Sequence, residues 1–146
     1  MSDIEKSIER VVETYRSAVH AKDVAALIRL YDPDVRVFDA WGVWSYEGSQ
    51  AWQRAVEGWF TSLGTERVKV SFDDVQTVAG PDVAIVSTIV TYAGFSAQGE
   101  ALRSMQNRLS WGLRKSGHVF RIVHEHTSAP LGFEDSKAIL QRDGGS

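Results

Sequence analysis

The groups in this chain whose types and spacing could do chemistry are two histidines, an arginine and an aspartate near predicted strand ends. The closing segment Phe120-Arg121-Ile122-Val123-His124-Glu125-His126-Thr127-Ser128-Ala129-Pro130 sets Phe120, Ile122, His124 and His126 at every second position, one face of a strand. That face turns from apolar to ionisable towards its end, which predicts a cavity there. Unperturbed histidines titrate near neutral pH, so the pair suits acid–base work, anion binding or metal ligation. A metal would need a third ligand from Asp39 or His118; His118 falls in the tight turn after Gly117, so none is expected. Asp39 ends the alternating run Val35-Arg36-Val37-Phe38-Asp39. Beside aromatic walls its carboxylate is desolvated, which raises its pKa and makes it a base for a carbon-bound proton. A turn cap or an arginine partner is the structural alternative. Arg108 and Ser110 share a strand face, and a buried guanidinium there would pair with a carboxylate ligand, Asp39 or Glu125.

These groups need elements to position them. Ile4, Ile8, Val11, Tyr15 and Val19 recur at helical spacing, predicting a helix over 3–21. Asp23 is an N-cap for a second, shorter helix through Tyr31, stopped by Asp32-Pro33-Asp34. A short strand follows to Asp39, then an aromatic loop or irregular strand over 40–47. Gly48-Ser49 opens a third helix with Trp52, Val56, Trp59, Phe60 and Leu63 on its apolar face. From residue 66 the period becomes two. Strands are predicted at about 67–78, 83–95, 101–115 and 118–128, joined by short turns that make them antiparallel neighbours. Helices first and strands after give an α+β class. Residues 131–146 are expected to be a tail that frays at its end.

Bulk properties narrow the function classes. The chain has 146 residues, 43% hydrophobic and 24% charged, with net charge -3, the profile of one globular domain. No basic footprint for nucleic acid or an anionic membrane is present. There are no cysteines, so disulfides and thiolate chemistry are excluded. No apolar run nears the roughly 20 residues of a membrane span. The opening MSDIEKSIER is charged rather than signal-like, and a cytoplasmic location is expected.

The order α-α-β-α-β-β-β-β resembles the nuclear-transport-factor-2-like superfamily, which includes ketosteroid isomerase, SnoaL-like polyketide cyclases and a kinase association domain. Tyr15 through Asp23-Val24-Ala25-Ala26-Leu27 to Leu30-Tyr31-Asp32-Pro33-Asp34-Val35 resembles its opening helices and first strand. Tyr46-Glu47-Gly48 resembles its strand-Gly-helix junction. Arg108-Leu109-Ser110, Gly112-Leu113-Arg114-Lys115 and the closing segment are most similar to the SnoaL-like branch. The resemblance covers about residues 3–130.

It implies one SnoaL-like domain over 1–146: a cone-shaped α+β barrel, three helices packed on a strongly curved, mostly antiparallel sheet around an apolar pocket. It places Asp39 at the isomerase's carboxylate base and Tyr15 at its enolate-binding tyrosine, though Tyr15 also fits a core aromatic. At the isomerase's protonated acid it places Ser110, or with a small gap Asn107. It points Arg108 and Ser110 into the pocket. His126, nearer the open end, is the third catalytic candidate; His124, deeper in the strand, is a ligand contact or a satisfied core histidine. Trp41, Trp44 and Tyr92 are expected ligand contacts, with Trp52 and Trp59 in the core. Trp111, opposite in parity to Ser110, is expected on the outer sheet face with Leu109 and Leu113, as a homodimer surface. Two functions are consistent with this. One is cofactor-independent isomerase, cyclase or dehydratase chemistry on a carbonyl compound. The other is a non-catalytic module that binds a small molecule or oligomerises.

Overall fold

The helical spacing of Ile8, Val11, Tyr15 and Val19 becomes the buried stripe of α1 (Asp3–Ala21) in the computed structural model, which describes residues 2–142. Its start is fixed by a capping box, in which Ser2 Oγ accepts from Glu5 N and the Glu5 carboxylate accepts from Ser2 N. It ends at Lys22, whose left-handed backbone (φ 56°) turns the chain. The Lys22 ammonium donates to Gly64 O (2.6 Å) and Glu66 O (2.9 Å), tying this corner to the end of the third helix. Asp23 caps α2 (Val24–Ile28) by accepting from Ala26 N at 3.1 Å.

α2 is shorter than the sequence predicts. It stops at Ile28, and Tyr31 already opens β1 (Tyr31–Phe38). Pro33 holds Asp32 extended, while the Tyr31 side chain is pulled into the core (2% exposed). After β1 come β2 (Tyr46–Glu47), α3 (Ser49–Leu63), β3 (Arg67–Ala79), β4 (Val83–Phe95), β5 (Ala101–Ser116) and β6 (Val119–Ser128). They form one six-stranded curved sheet in the order β2-β1-β6-β5-β4-β3. β1 runs parallel to β6, and the other pairs are antiparallel. Register shifts in β3, at the β4–β5 end and in β6 add local bends. α1 and α3 pack inside the curve, and the core runs from Val11 and Tyr15 through Val35, Val37 and Val56 to Trp111 and Ile122.

The chain beyond Pro130 does not fray where it is described. β6 leaves β5 after Ser128, opposite Arg108, so the first residues of β5 have an open edge. The returning tail takes that edge: Gln106 N donates to Leu140 O (2.7 Å), and Gln141 Nε2 donates to Ser104 O (2.6 Å). Arg142 N donates to Gln106 Oε1 at 2.5 Å. Pairing otherwise unmet backbone groups is the physical reason for the docking. Residues 143–146, the predicted frayed end, lie outside the described residues. Among the described residues no helix is long and apolar enough to cross a membrane.

Candidate functional site

Which residues face the interior is decided by one irregularity. Between β5 and β6, Leu113 is paired with Ile122 but Gly112 with His124, so Val123 is an extra residue on β6. Such a bulge reverses the alternation of faces beyond it. Phe120 and Ile122 point inward, and past the bulge Glu125 (1% exposed) and Thr127 (3%) take the inner positions. His124 and His126 are turned to the outer face, against the edges of Phe38. The expectation that Phe120, Ile122, His124 and His126 share one face is therefore corrected.

β5 needs a matching correction. Asn107, Leu109, Trp111 and Leu113 are buried, so Arg108 and Ser110 are on the outer face and exposed. Arg108 Nε donates to Ser128 Oγ at 3.1 Å, and His124 Nδ1 lies 2.8 Å from Arg36 O. Trp111, expected outside, is fully buried among Tyr15 and Phe72. The signal for this was in the sequence: Leu109, Trp111 and Leu113 alternate with Arg108, Ser110 and Arg114, and the apolar set belongs inside. His124, His126, Arg108 and Ser110 are together, but on the wrong side of the sheet for a pocket.

The interior holds a cavity of about 590 Å³ between α1, α3 and the inner face of the sheet. Tyr15, Asp39, Trp41, Tyr92 and Asn107 line it, and so do Trp52 and Trp59, for which the sequence favours the core. Trp44 does not line it and is 96% exposed. Tail residue Leu140 also lines it. A larger groove of about 880 Å³ runs between α1 and β3, but its titratable lining is Glu5, Glu9, Glu13 and Arg16 from the helix surface. The smaller cavity is the chemical one, because buried ionisable groups open onto it.

Asp39 continues the inward series Val35, Val37, placing its carboxylate at the cavity wall. Thr127 Oγ1 donates to Asp39 Oδ1 (3.1 Å) and itself accepts from Ala40 N (2.9 Å). Trp41 N approaches Oδ2 at 3.4 Å. Burial raises the Asp39 pKa, opposed by the hydrogen bonds from Thr127, Trp41 and Ala40. Across the interior, the Tyr15 and Tyr92 hydroxyls are 2.8 Å apart. One donates to the other, so one phenolic proton is left for a ligand. Burial pushes both phenols upward, and they remain protonated donors.

Glu125 is the residue whose importance the sequence did not reveal. Tyr31 Oη donates to its Oε1 at 2.5 Å, and Trp111 Nε1 donates to the same oxygen at 2.9 Å. Burial pushes its pKa up to about 7; those two bonds oppose the rise, and the Asp39 charge adds to it. Near neutral pH it is therefore partly a neutral acid at the cavity floor. Asn107 is 4% exposed, and its Oδ1 has no hydrogen-bond partner. Leaving such an acceptor unmet costs about 1–3 kcal/mol. Among the described residues no three His, Asp or Glu side chains converge to hold a metal ion.

Known proteins share this architecture. The family described as the SnoaL-like domain matches residues 8–132. An NTF2-like protein of unknown function from Pseudomonas putida KT2440 is 24% identical over 96% of both chains, with a TM-score of 0.83. Aln2 from a Streptomyces species is 12% identical over 88% of this chain and 91% of its own, with a TM-score of 0.77. An NTF2-like protein with a cystatin-like fold from Novosphingobium aromaticivorans is 15% identical over 90% and 85%, with a TM-score of 0.74. At these identities the structures establish the fold alone. No curated protein matches the chain.

Proposed function

The chain belongs to the SnoaL-like domain family, and from that premise we propose that it binds a small carbonyl compound and moves a proton on it without a cofactor. The observation that supports this is the placement of Asp39 and the Tyr15–Tyr92 pair on one aromatic-walled cavity. Asp39, desolvated yet hydrogen-bonded, is the base that takes a proton from the carbon next to the carbonyl. The free phenolic proton of the tyrosine pair donates to the carbonyl oxygen as negative charge gathers there. Returning the proton to a different carbon gives isomerisation; loss of a β-hydroxyl gives dehydration; attack of the enolate on a second carbonyl gives cyclisation. All three begin with the step that Asp39 performs.

The roles expected of His126 as an acid and of Arg108, Ser110 and His124 as ligand contacts lose support, since these side chains face away from the cavity. The proton transfer is tested by following deuterium uptake at the acidic carbon of 2-tetralone, a neutral bicyclic ketone, by NMR in heavy water. Catalysed uptake that Asp39→Asn removes supports the proposal. Uptake no faster than in buffer leaves a binding module of the same fold.

A further inference from the structure

Thr127 is a buried polar group beside Asp39 that no step of the proton transfer uses. The Val123 bulge decides its side of the sheet: past the bulge Thr127 takes an inner position, and without it the hydroxyl would point outward. β1 and β6 run parallel with Phe38 opposite His126, so one residue further on Asp39 and Thr127 come side by side. Thr127 is 3% exposed and does not line the cavity. Any effect it has on a ligand passes through Asp39.

The hydrogen bonds of Thr127 have a fixed direction. A hydroxyl has one proton to give. Ala40 N donates to Thr127 Oγ1 at 2.9 Å, and the hydroxyl proton goes to Asp39 Oδ1 at 3.1 Å. Branching at Cβ restricts the threonine side chain, so the hydroxyl is already aimed. The two carboxylate oxygens are therefore unequal: Oδ1 is held by a buried donor, whereas Oδ2 has the longer approach of Trp41 N at 3.4 Å. The other titratable groups on the cavity come from every wall. Glu125 is on β6, Tyr15 on α1, Tyr46 on β2, Tyr92 on β4 and Arg103 on β5, the last held by Glu66; α3 brings apolar and tryptophan side chains. Glu125 couples to Asp39 through charge. Among the described residues none of these side chains donates a hydrogen bond to Asp39, and Thr127 does.

We propose that Thr127 is a positioning residue for the proton transfer: its hydroxyl fixes the Asp39 carboxylate through Oδ1 and leaves Oδ2 as the atom that takes the proton. The substrate C–H bond breaks, the proton goes to Oδ2, and the bonding pair stays on the substrate as the enolate. This rests on the reading of Asp39 as the base. The bond from Thr127 also favours the charged carboxylate and works against the effect of burial.

The experiment compares the wild type with Thr127→Val, which keeps the shape without the hydroxyl, and Thr127→Ser, which restores the hydroxyl. Carbon-13 NMR follows the Asp39 carboxyl against pH, and deuterium uptake by 2-tetralone is measured over a range of ketone concentrations. Thr127→Val is expected to titrate Asp39 at higher pH than the wild type, because a bond favouring the charged form is gone. Its maximal uptake rate should fall about tenfold at an unchanged KM, since Thr127 does not touch the ketone. Thr127→Ser should restore the midpoint and bring the rate within about threefold of wild type. An unchanged Asp39 midpoint or a wild-type rate in Thr127→Val overturns the proposal, and so does a serine variant that behaves like the valine one. The wild type alone gives a test that needs no variant to fold. Its Thr127 hydroxyl proton should exchange slowly enough with water to be resolved by proton NMR and should shift as Asp39 titrates; a hydroxyl in fast exchange overturns the proposal. Absence of catalysed uptake in the wild type refutes the proton-transfer reading itself. Catalysed uptake with an Asp39 midpoint indifferent to Thr127 refutes the positioning role alone.

Discussion

Replacing Glu125 with glutamine should abolish a loss of stability that the wild type suffers as the pH rises from acid to alkaline. Glutamine has the shape of the neutral acid, and its carbonyl oxygen can keep the bonds from Tyr31 Oη and Trp111 Nε1 that Glu125 accepts. In the wild type the carboxyl titrates at about 7 when folded, against an ordinary value of 4.5. Between those values the folded state holds a proton that the unfolded state has lost, so stability falls as pH rises through that window. At about 1.4 kcal/mol per pH unit the loss sums to ~3 kcal/mol, complete above pH 7. Below pH 4.5 both states are protonated and no penalty remains. Asp39 is shifted in the same direction, but it is present in both proteins. Urea denaturation at pH 5 and pH 8 is the assay. From pH 5 to pH 8 the stability of the variant relative to the wild type should rise by about 2–3 kcal/mol. An equal pH dependence in the two proteins would refute the claim that burial has raised the Glu125 pKa.

Asn107→Leu is expected to raise stability by about 1–3 kcal/mol, because a buried unmet acceptor is replaced by an apolar side chain of similar volume. Differential scanning calorimetry reads this as a melting point several degrees higher, and a lower one would show that the amide is satisfied. Pairing of two copies through the outer sheet face is the remaining expectation, and light scattering should give twice the 16.2 kDa chain mass. Arg36, Phe38, Arg108, His124 and His126 are on that face, so Phe38→Glu should shift the mass towards a single chain; an unchanged dimer would exclude this patch from the interface.

The helices and turns were legible because their signals are local. The apolar stripe of α1, the Asp23 cap and the turns at Gly80-Pro81 and Ser116-Gly117 depend on neighbours a few residues away. Asp39 was legible for the same reason, by simple alternation from Val35 and Val37. The histidines were misplaced because a single bulge residue, Val123, shifts the phase, and nothing in the run Ile122-Val123-His124 marks it. Glu125, which the sequence offers only as a partner for Arg108, owes its burial to lying opposite Trp111 in the β5–β6 register, a pairing between distant segments. The docking of the tail is not legible in the sequence because its partner is the edge of β5 that β6 leaves open, a vacancy created only by the finished sheet.

The central claim is that the chemistry lies inside the curved sheet, at Asp39, and not at the histidines outside it. Deuterium uptake by 2-tetralone, measured side by side for the wild type, Asp39→Asn and His126→Ala, tests this most directly. The account predicts catalysed uptake in the wild type, a loss of at least about a hundredfold in Asp39→Asn, and a rate within about twofold of wild type in His126→Ala. Full activity in Asp39→Asn, or its loss in His126→Ala, would contradict it.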